Sequence, residues 1–172
     1  MKINKKIVII VVAVLVVAVG ILAWLNRDDI VQKKAMQESG TFFITVDGRQ
    51  HVVSMEDLLS LSVRTVKANS KSSTTDYTYN EFTGVSLKSL LDSLGVDYSD
   101  VTSIKFTAVD GFASAVSISD ALDEDNCFIV FEEDGKLLGT KESGGSGPYR
   151  MILIKDNFRQ HWCKFLLEIE VG

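Results

Sequence analysis

The sequence predicts an α+β domain with a mixed, largely antiparallel sheet and a few short helices, preceded by one N-terminal transmembrane helix. Three observations support this prediction. The first is an uncharged apolar run from Ile7 to Leu25. The second is a series of short apolar segments interrupted by Asp-Gly pairs at positions 47, 110 and 134, which are typical of hairpin turns. The third is that only one later segment has a clear helical period, and many hairpin-linked strands with few helices indicate the α+β class.

The run from Ile7 to Leu25 is long enough to cross a bilayer as a helix. Its 19 residues, at about 1.5 Å each, span roughly 28 Å, which is close to the thickness of the hydrocarbon core. Three lysines precede the run (Lys2, Lys5 and Lys6), and residues 27–29 after it carry a net negative charge. The positive-inside rule therefore predicts a single-pass protein of the cell membrane, with a cytoplasmic N-terminus and an extracytoplasmic C-terminal domain.

A cleaved signal peptide is the alternative, because Ala18-Val19-Gly20 is a small-residue cleavage pattern. Five more uncharged residues follow that site, so we prefer the uncleaved anchor. The predicted organisation is a cytoplasmic tail (1–6), a transmembrane anchor (7–25), a helical stalk (26–40) and an extracytoplasmic domain (41–172). Without the three N-terminal lysines, 15 basic and 23 acidic residues remain, which argues against nucleic acid as a partner.

The first elements after the anchor follow from caps and turns. A polar helix over 28–39 is expected to stop at Gly40. Residues 41–46 and 50–53 form a hairpin around Asp47-Gly48. Ser54 then caps a short helix that ends near Leu61 and directs three leucines inward, Leu58, Leu59 and Leu61.

The middle of the domain contains two strands and the clearest helix. Residues 63–67 and 77–82 are predicted strands, separated by a polar loop over 68–76. Ser86 caps a helix that ends at Gly95. One face of this helix carries an apolar stripe, made by Leu87, Leu90, Leu91 and Leu94.

The last third of the chain is predicted to consist of strands and one flexible-looking loop. Two more hairpins are expected around Asp110-Gly111 and Asp134-Gly135. Glycine and serine dominate the loop at 139–147. The predicted strands are 101–109, 113–118, 128–131, 136–138, 151–154 and 162–171.

The sequence contains few residues that suggest metal or nucleophilic chemistry. The two histidines, His51 and His161, are not at metal-ligand spacing, so we assign no metal site and no catalytic residue. The two cysteines, Cys127 and Cys163, lie in apolar segments. They are compatible with an exported disulfide or with two buried thiols, and we prefer the thiols.

Arg150 is the best candidate for binding a ligand. It follows Gly147-Pro148-Tyr149 and precedes an apolar strand, so its charged guanidinium would lie at the mouth of that strand, beside a glycine loop. Such a group binds an anion through two hydrogen bonds, and the backbone amides of Ser143-Gly144-Gly145-Ser146-Gly147 could wrap a phosphate. The alternative is an ordinary surface arginine at the end of a strand.

Four segments in one order resemble a known family. They are a Gly84-Val-Ser-Leu87 helix start, an Asp110-Gly111-Phe112 hairpin, the glycine and proline loop that leads to Arg150, and the closing segment Trp162-Cys-Lys164. This order is similar to that of the molybdopterin-binding domain of the sulfite oxidase family. The resemblance covers about residues 62–171.

The resemblance implies an α+β fold with a pocket for a molybdenum held by a pterin dithiolene. It implies molybdopterin as a cofactor, or another small anionic ligand, in contact with Asn69, Ser70, Asp110, Gly145, Gly147 and Arg150. In the family a cysteine thiolate also binds the metal. The matching position falls at or near Ala68, and there is no cysteine between Arg64 and Asp76. The proline that commonly follows the arginine strand is also replaced, here by Lys155-Asp156.

Two hypotheses follow from this comparison. In the first, the domain is an oxidoreductase-like module that binds a pterin or another anionic ligand but lacks sulfite oxidase activity, because alanine cannot replace the thiolate. In the second, the fold is a scaffold, and the domain is a non-catalytic binding or assembly module at the cell surface.

Overall fold

The computed structural model of this chain describes residues 5–25, 35–36, 38–69, 79–156 and 159–172, and it places the side chains of the first helix only at 11–22. The chain forms two compact units, Met1–Ala35 and Met36–Gly172. The first unit contains helix α1, Lys5–Leu25. Among the residues so described, no helix is long and apolar enough to cross a membrane. The transmembrane anchor therefore stays a prediction.

The described part of the second unit contains ten strands and, besides the helical residues at 36 and 38–39, three short helices. The strands are β1 (Thr41–Val46), β2 (Arg49–Ser54), β3 (Arg64–Asn69), β4 (Tyr79–Ser86), β5 (Ser103–Ala108), β6 (Ala113–Ser117), β7 (Cys127–Glu133), β8 (Lys136–Leu137), β9 (Arg150–Leu153) and β10 (Leu166–Val171). The helices are α2 (Met55–Leu59), α3 (Leu87–Ser93) and α4 (Ile118–Ala121).

The strands form two mixed or antiparallel sheets. The first sheet has the order β2-β1-β10-β5-β6, and only its β1–β10 pair is parallel. The second sheet has the order β3-β4-β7-β8. β8 pairs with the C-terminal end of β7, and β9 pairs with its N-terminal part. All of its pairs are antiparallel. The α+β class with few helices is confirmed, but the strands are divided between two sheets.

Local sequence signals explain the turns and caps. Asp47 and Gly48 both have positive φ, 50° and 73°, as the predicted two-residue turn between β1 and β2 requires. Ser54 and Asp57 form a capping box at the start of α2. Ser86 caps α3 by accepting a hydrogen bond from the Ser89 amide, and Gly95 follows the helix with a φ of 66°.

A single apolar cluster joins the two sheets and α3. It contains alternate residues of β1 and β5 in the first sheet but consecutive residues of β7 and β9 in the second, so the centre of the second sheet is buried on both faces. The largest fully buried members include Phe42, Ile44, Phe82, Leu90, Leu91, Ile104, Phe106, Phe128 and Tyr149.

Several predicted elements differ from the structure. Leu59 was expected to face inward but is 57% exposed, because α2 has only five residues and its single buried position is Leu58. The predicted strand at 162–171 begins only at Leu166, since Phe165 has a φ of 52° and breaks the extended chain. The four-residue helix α4 was not predicted.

Two predicted segments lie partly or largely outside the described residues. Of the stalk helix at 28–39, the structure describes 35–36 and 38–39, which are helical. Of the polar loop at 68–76, it describes Ala68 and Asn69, which belong to β3. The strand predicted from 77 is described from Tyr79, and it continues to Ser86 rather than ending at Phe82.

Candidate anion site around Arg150

A bulge in β7 determines which side chains meet at this site. Thr83 opposes Glu132 but Gly84 opposes Val130, so Phe131 is an extra residue between the two pairs. Residues directly opposite in antiparallel strands point to the same face, and the register places Arg150 opposite Val130. Phe82, two residues before Gly84, lies on this face as well. The extra residue brings Glu133, which is opposite Phe82, to the same face as Arg150.

Arg150 is the centre of this face. It is the first residue of β9, and only 3% of its side chain is exposed. Its Nη2 lies 3.1 Å from Oε2 of Glu133 and also donates a hydrogen bond to the Ser146 hydroxyl. The guanidinium carbon stands 5.6 Å from the centre of the Phe82 ring. Its Nε is buried without a hydrogen-bond partner among the described residues, which leaves one donor of a buried cation available.

Two further cations lie near Arg150. Burial lowers the pKa of Lys164, and the positive charges of Arg150 and Arg159 lower it further. The Arg159 guanidinium is 5.5 Å from the centre of the Trp162 ring, which itself packs edge-on against Phe82 at 5.5 Å. Burial also lowers the pKa of Arg150, although Glu133 opposes this effect. Three cations and one carboxylate therefore share a region built around an aromatic pair.

The glycine loop is closely packed against its own backbone and contacts Arg150 through the Ser146 hydroxyl. The amides of Gly145 and Gly147 donate to the carbonyls of Thr140 and Gly139, each at 2.8 Å, so both amides are used within the loop. A Cβ at Gly145 would lie 2.1 Å from the Leu138 carbonyl oxygen, which explains why glycine is needed there. In this conformation the loop offers Arg150 the Ser146 hydroxyl, whereas the amides of Gly144, Gly145 and Gly147 donate to carbonyls within the loop.

The other predicted site residues are dispersed. Asp110 is exposed in the β5–β6 turn, where its Oδ1 accepts a hydrogen bond from the Phe112 amide at 3.1 Å. Its charge also contributes to raising the pKa of Cys163, so it lies near that residue. Asn69 is half-buried at the end of β3, opposite Tyr79. Ser70 lies outside the described residues.

Ala68 lies on the same face as the site. It opposes Asn80, which is two residues before Phe82 in β4, so strand alternation places Ala68 and Phe82 on one side of the sheet. Its side chain is a methyl group, and the residue is 1% exposed. The position that the resemblance aligns with a metal-binding cysteine is thus buried beside the candidate site without a ligating atom.

The two cysteines are free and buried. Burial raises the pKa of Cys163 to about 12 and that of Cys127 further still. Cys127 belongs to β7 and lies opposite Leu153, and the backbone of Cys163 pairs with that of Met151 in an isolated antiparallel β-bridge. Both thiols therefore belong to the core. Among the described residues no group of three or more side chains is arranged to hold a metal ion.

A separate cavity of about 410 Å³ lies between the β1–β2 turn and the C-terminal end of α3. Its lining includes Val46, Arg49, His51, Leu94 and Asp97. None of its lining residues belongs to the second sheet or to the glycine loop. We therefore assign the candidate site on the buried arginine and not on this cavity.

Glu133, Arg159 and Phe82 were not identified as site residues from the sequence, and Ser146 was expected to contribute its amide rather than the hydroxyl that contacts Arg150. Glu133 reaches Arg150 only because of the β7 bulge, and nothing in Phe131-Glu132-Glu133 indicates that bulge. Lys164 belongs to the closing motif Trp162-Cys-Lys164, which is the sequence signal for its position.

Comparisons with known proteins agree with this architecture. The family model described as "Oxidoreductase molybdopterin binding domain" matches residues 31–172. Among solved structures, the sulfane dehydrogenase SoxCD from Paracoccus pantotrophus is similar, with a TM-score of 0.64 and 16% sequence identity. The match covers 78% of this chain and 38% of the SoxCD chain, so this chain spans well under half of that protein. No curated protein matches the sequence.

Proposed function

The chain belongs to the oxidoreductase molybdopterin-binding domain family, and from that membership we propose that it binds a small anionic ligand, such as the phosphate-bearing part of a pterin cofactor, at Arg150. One observation carries the proposal. A guanidinium that is 97% buried keeps an Nε–H without a partner among the described residues, although buried polar groups are nearly always hydrogen-bonded. An oxyanion at Nε would satisfy that donor and neutralise part of the local positive charge.

The residues present do not fit the thiolate-bound metal of the family. Ala68 has no lone pair, and the two cysteine thiols are protonated at neutral pH and buried in the core. An anionic pterin would find a partner in Arg150, whereas the metal would lack its protein sulfur. We therefore propose that the domain lacks sulfite oxidase activity, and we derive no catalytic step through a metal.

Membrane attachment is the second part of the proposal. The apolar run lies in helix α1, and the lysines at its N-terminal side predict a cytoplasmic N-terminus. We propose that α1 anchors the domain to the cell membrane and that the domain is extracytoplasmic. Protease added to intact cells, after removal of any wall, should then degrade residues 36–172. In cells that are not treated with protease, the membrane-bound chain should have the mass of the uncleaved sequence.

The binding proposal is tested with the full-length chain in detergent. We would express it in a host that makes molybdopterin, measure molybdenum by elemental mass spectrometry and pterin by fluorescence after oxidation, and titrate the purified protein with inorganic phosphate. Binding of pterin or phosphate is expected, and Arg150→Lys should weaken it about tenfold or more, because lysine lacks the planar array of donors. Arg64→Lys, at an exposed pair with Asp125, is the matched control and should have no effect.

The outcomes separate the hypotheses. If the protein holds both pterin and molybdenum, our proposal that these residues do not fit the metal is wrong. Binding of neither pterin nor phosphate to the folded protein would overturn the anion site and leave the non-catalytic surface module. That second candidate is supported by the Glu133 carboxylate, which already neutralises part of Arg150, and by the glycine amides, which are already hydrogen-bonded.

A further inference from the structure

The Glu133 carboxylate is the feature of the candidate site that an anion-binding role alone does not explain. Its Oε2 lies 3.1 Å from Nη2 of Arg150. The unpaired Nε belongs to the same guanidinium group. Glu133 is 28% exposed, and the β7 bulge is what brings it to this face. An anion that binds at Nε would therefore approach a fixed negative charge.

A carboxylate in this position affects different anions in opposite ways. When ionised it can only accept hydrogen bonds, so it repels an oxyanion that carries no proton. It attracts an anion that carries an O–H or N–H group, because that group can donate to it. Selectivity of this kind arises from a repulsive element placed against the wrong ligand.

We propose that Glu133 determines the specificity of this site and selects anionic ligands that also carry a hydrogen-bond donor, such as a hydrogen phosphate group, over fully deprotonated oxyanions such as sulfate. This inference rests on the proposed anion site at Arg150. Arg150, Arg159 and Lys164 supply the attraction that all anions share. Glu133 supplies the discrimination between them.

Inorganic phosphate and sulfate are the matched probes. They have the same shape and similar size, but at pH 7 phosphate keeps at least one O–H group and sulfate keeps none. We would titrate the full-length chain in detergent with each anion by calorimetry, at constant ionic strength. The wild type should bind phosphate about tenfold more tightly than sulfate, and Glu133→Gln should bring that ratio close to one, because glutamine is neutral and its amide can donate to sulfate.

Glu132→Gln is the matched control. Glu132 opposes Thr83, so its side chain points to the other face of the sheet, and its replacement removes the same charge without changing the ratio. A second pair of anions tests the wild type without any substitution. Arsenate, which is protonated at pH 7, should bind like phosphate, and selenate, which is not, should bind like sulfate.

Each failure has a different meaning. Equal phosphate-to-sulfate ratios in the wild type and in folded Glu133→Gln would overturn the role of Glu133 while the anion site stands. The same conclusion follows if wild-type protein binds selenate as tightly as arsenate. If none of the four anions binds to the wild type or to Glu133→Gln, the anion site itself is wrong and this inference fails with it.

Discussion

Two serines of the second unit are buried to the same extent but have opposite environments. Ser86 and Ser114 are each 6% exposed. The Ser86 hydroxyl accepts a hydrogen bond from the Ser89 amide at 3.2 Å at the start of α3. The Ser114 hydroxyl, on β6 opposite Phe106, has no partner among the described residues. The hydrogen bond of the Ser86 hydroxyl therefore stabilises the fold, whereas the unpaired Ser114 hydroxyl, buried to the same extent, costs free energy.

This contrast gives a matched pair of substitutions. Ser86→Ala should lower the free energy of unfolding by about 1 kcal/mol, because the helix loses its cap. Ser114→Ala should leave it unchanged or raise it, since the substitution removes a buried hydroxyl that has no partner. Urea denaturation followed by circular dichroism measures both. An equal loss in the two variants would show that the Ser114 hydroxyl is hydrogen-bonded in solution.

At the residue scale, the sequence indicated Arg150 but not the residues around it. A cation at the mouth of an apolar strand is visible in the sequence, because both the charge and the apolar run are local. Its contacts with Glu133 and Phe82 depend on strand register, which the sequence of one strand does not specify. The same limit applies to Gly145, whose amide was expected to face a ligand but donates to Thr140 within the loop.

At the element scale, the hairpins were predictable and the breaks in regular structure were not. Asp47-Gly48 and Asp134-Gly135 both adopt the positive φ angles that such turns require, so the local chemistry determined the hairpins. The β7 bulge is defined by pairing with the distant strand β4, and the positive φ of Phe165 follows no turn signal in the sequence. Helix α4 begins with a local cap, in which the Ser117 hydroxyl accepts a hydrogen bond from the Asp120 amide. Of these irregular features, the β7 bulge shapes the candidate site, because it brings Glu133 to Arg150.

Gly84 connects the bulge to the packing of the second sheet. A Cβ at this position would lie 2.2 Å from the Ile129 carbonyl oxygen and 2.6 Å from the Val130 Cα, which are backbone atoms of the neighbouring strand. The clash cannot be relieved by a change of rotamer. Only glycine therefore allows β4 to approach β7 this closely.

Gly84→Ala is expected to lower the free energy of unfolding by about 1–3 kcal/mol, as overpacking in a core does. It should also weaken phosphate binding, because a shift of β7 moves Glu133 relative to Arg150. Thermal unfolding and calorimetric titration measure the two effects. Thr83→Ala, at the adjacent half-buried position, should lower the free energy of unfolding by less and leave phosphate binding unchanged. An equal effect of the two substitutions would contradict this explanation.

At the scale of the whole molecule, the chain combines a net negative charge with a local cluster of cations. The formal net charge is −5, yet the positive charges of Arg150 and Arg159 both contribute to lowering the pKa of Lys164, and that of Arg159 also contributes to lowering the pKa of Arg150. Elsewhere, several acidic side chains form exposed ion pairs. Arg64 pairs with Asp125 at 2.7 Å and Lys88 with Asp92 at 2.6 Å. The cation cluster is therefore a local exception within an acidic protein, which supports an anion as its ligand.

Acid is expected to destabilise the second unit through carboxylates on several elements. Hydrogen bonds lower the pKa of five of them below the ordinary value of 3.8, namely Asp57, Asp92, Asp97, Asp123 and Asp134. Because the folded state binds these protons less readily than the unfolded state, the stabilisation is complete above about pH 3.8. It is lost as the pH falls below that value through the lowered pKa values.

The melting temperature should therefore change little between pH 7 and pH 5 and fall between pH 4 and pH 2. Asp134→Asn provides the test at one group. The Asp134 carboxylate accepts hydrogen bonds from the Glu81 amide at 2.9 Å and from Nδ2 of Asn80 at 2.6 Å, and it holds the β7–β8 turn against β4. The variant should melt at a lower temperature at pH 7 but lose less on acidification, because asparagine has no proton to take up. Parallel melting curves for wild type and variant across this range would mean that the acid sensitivity arises from other groups.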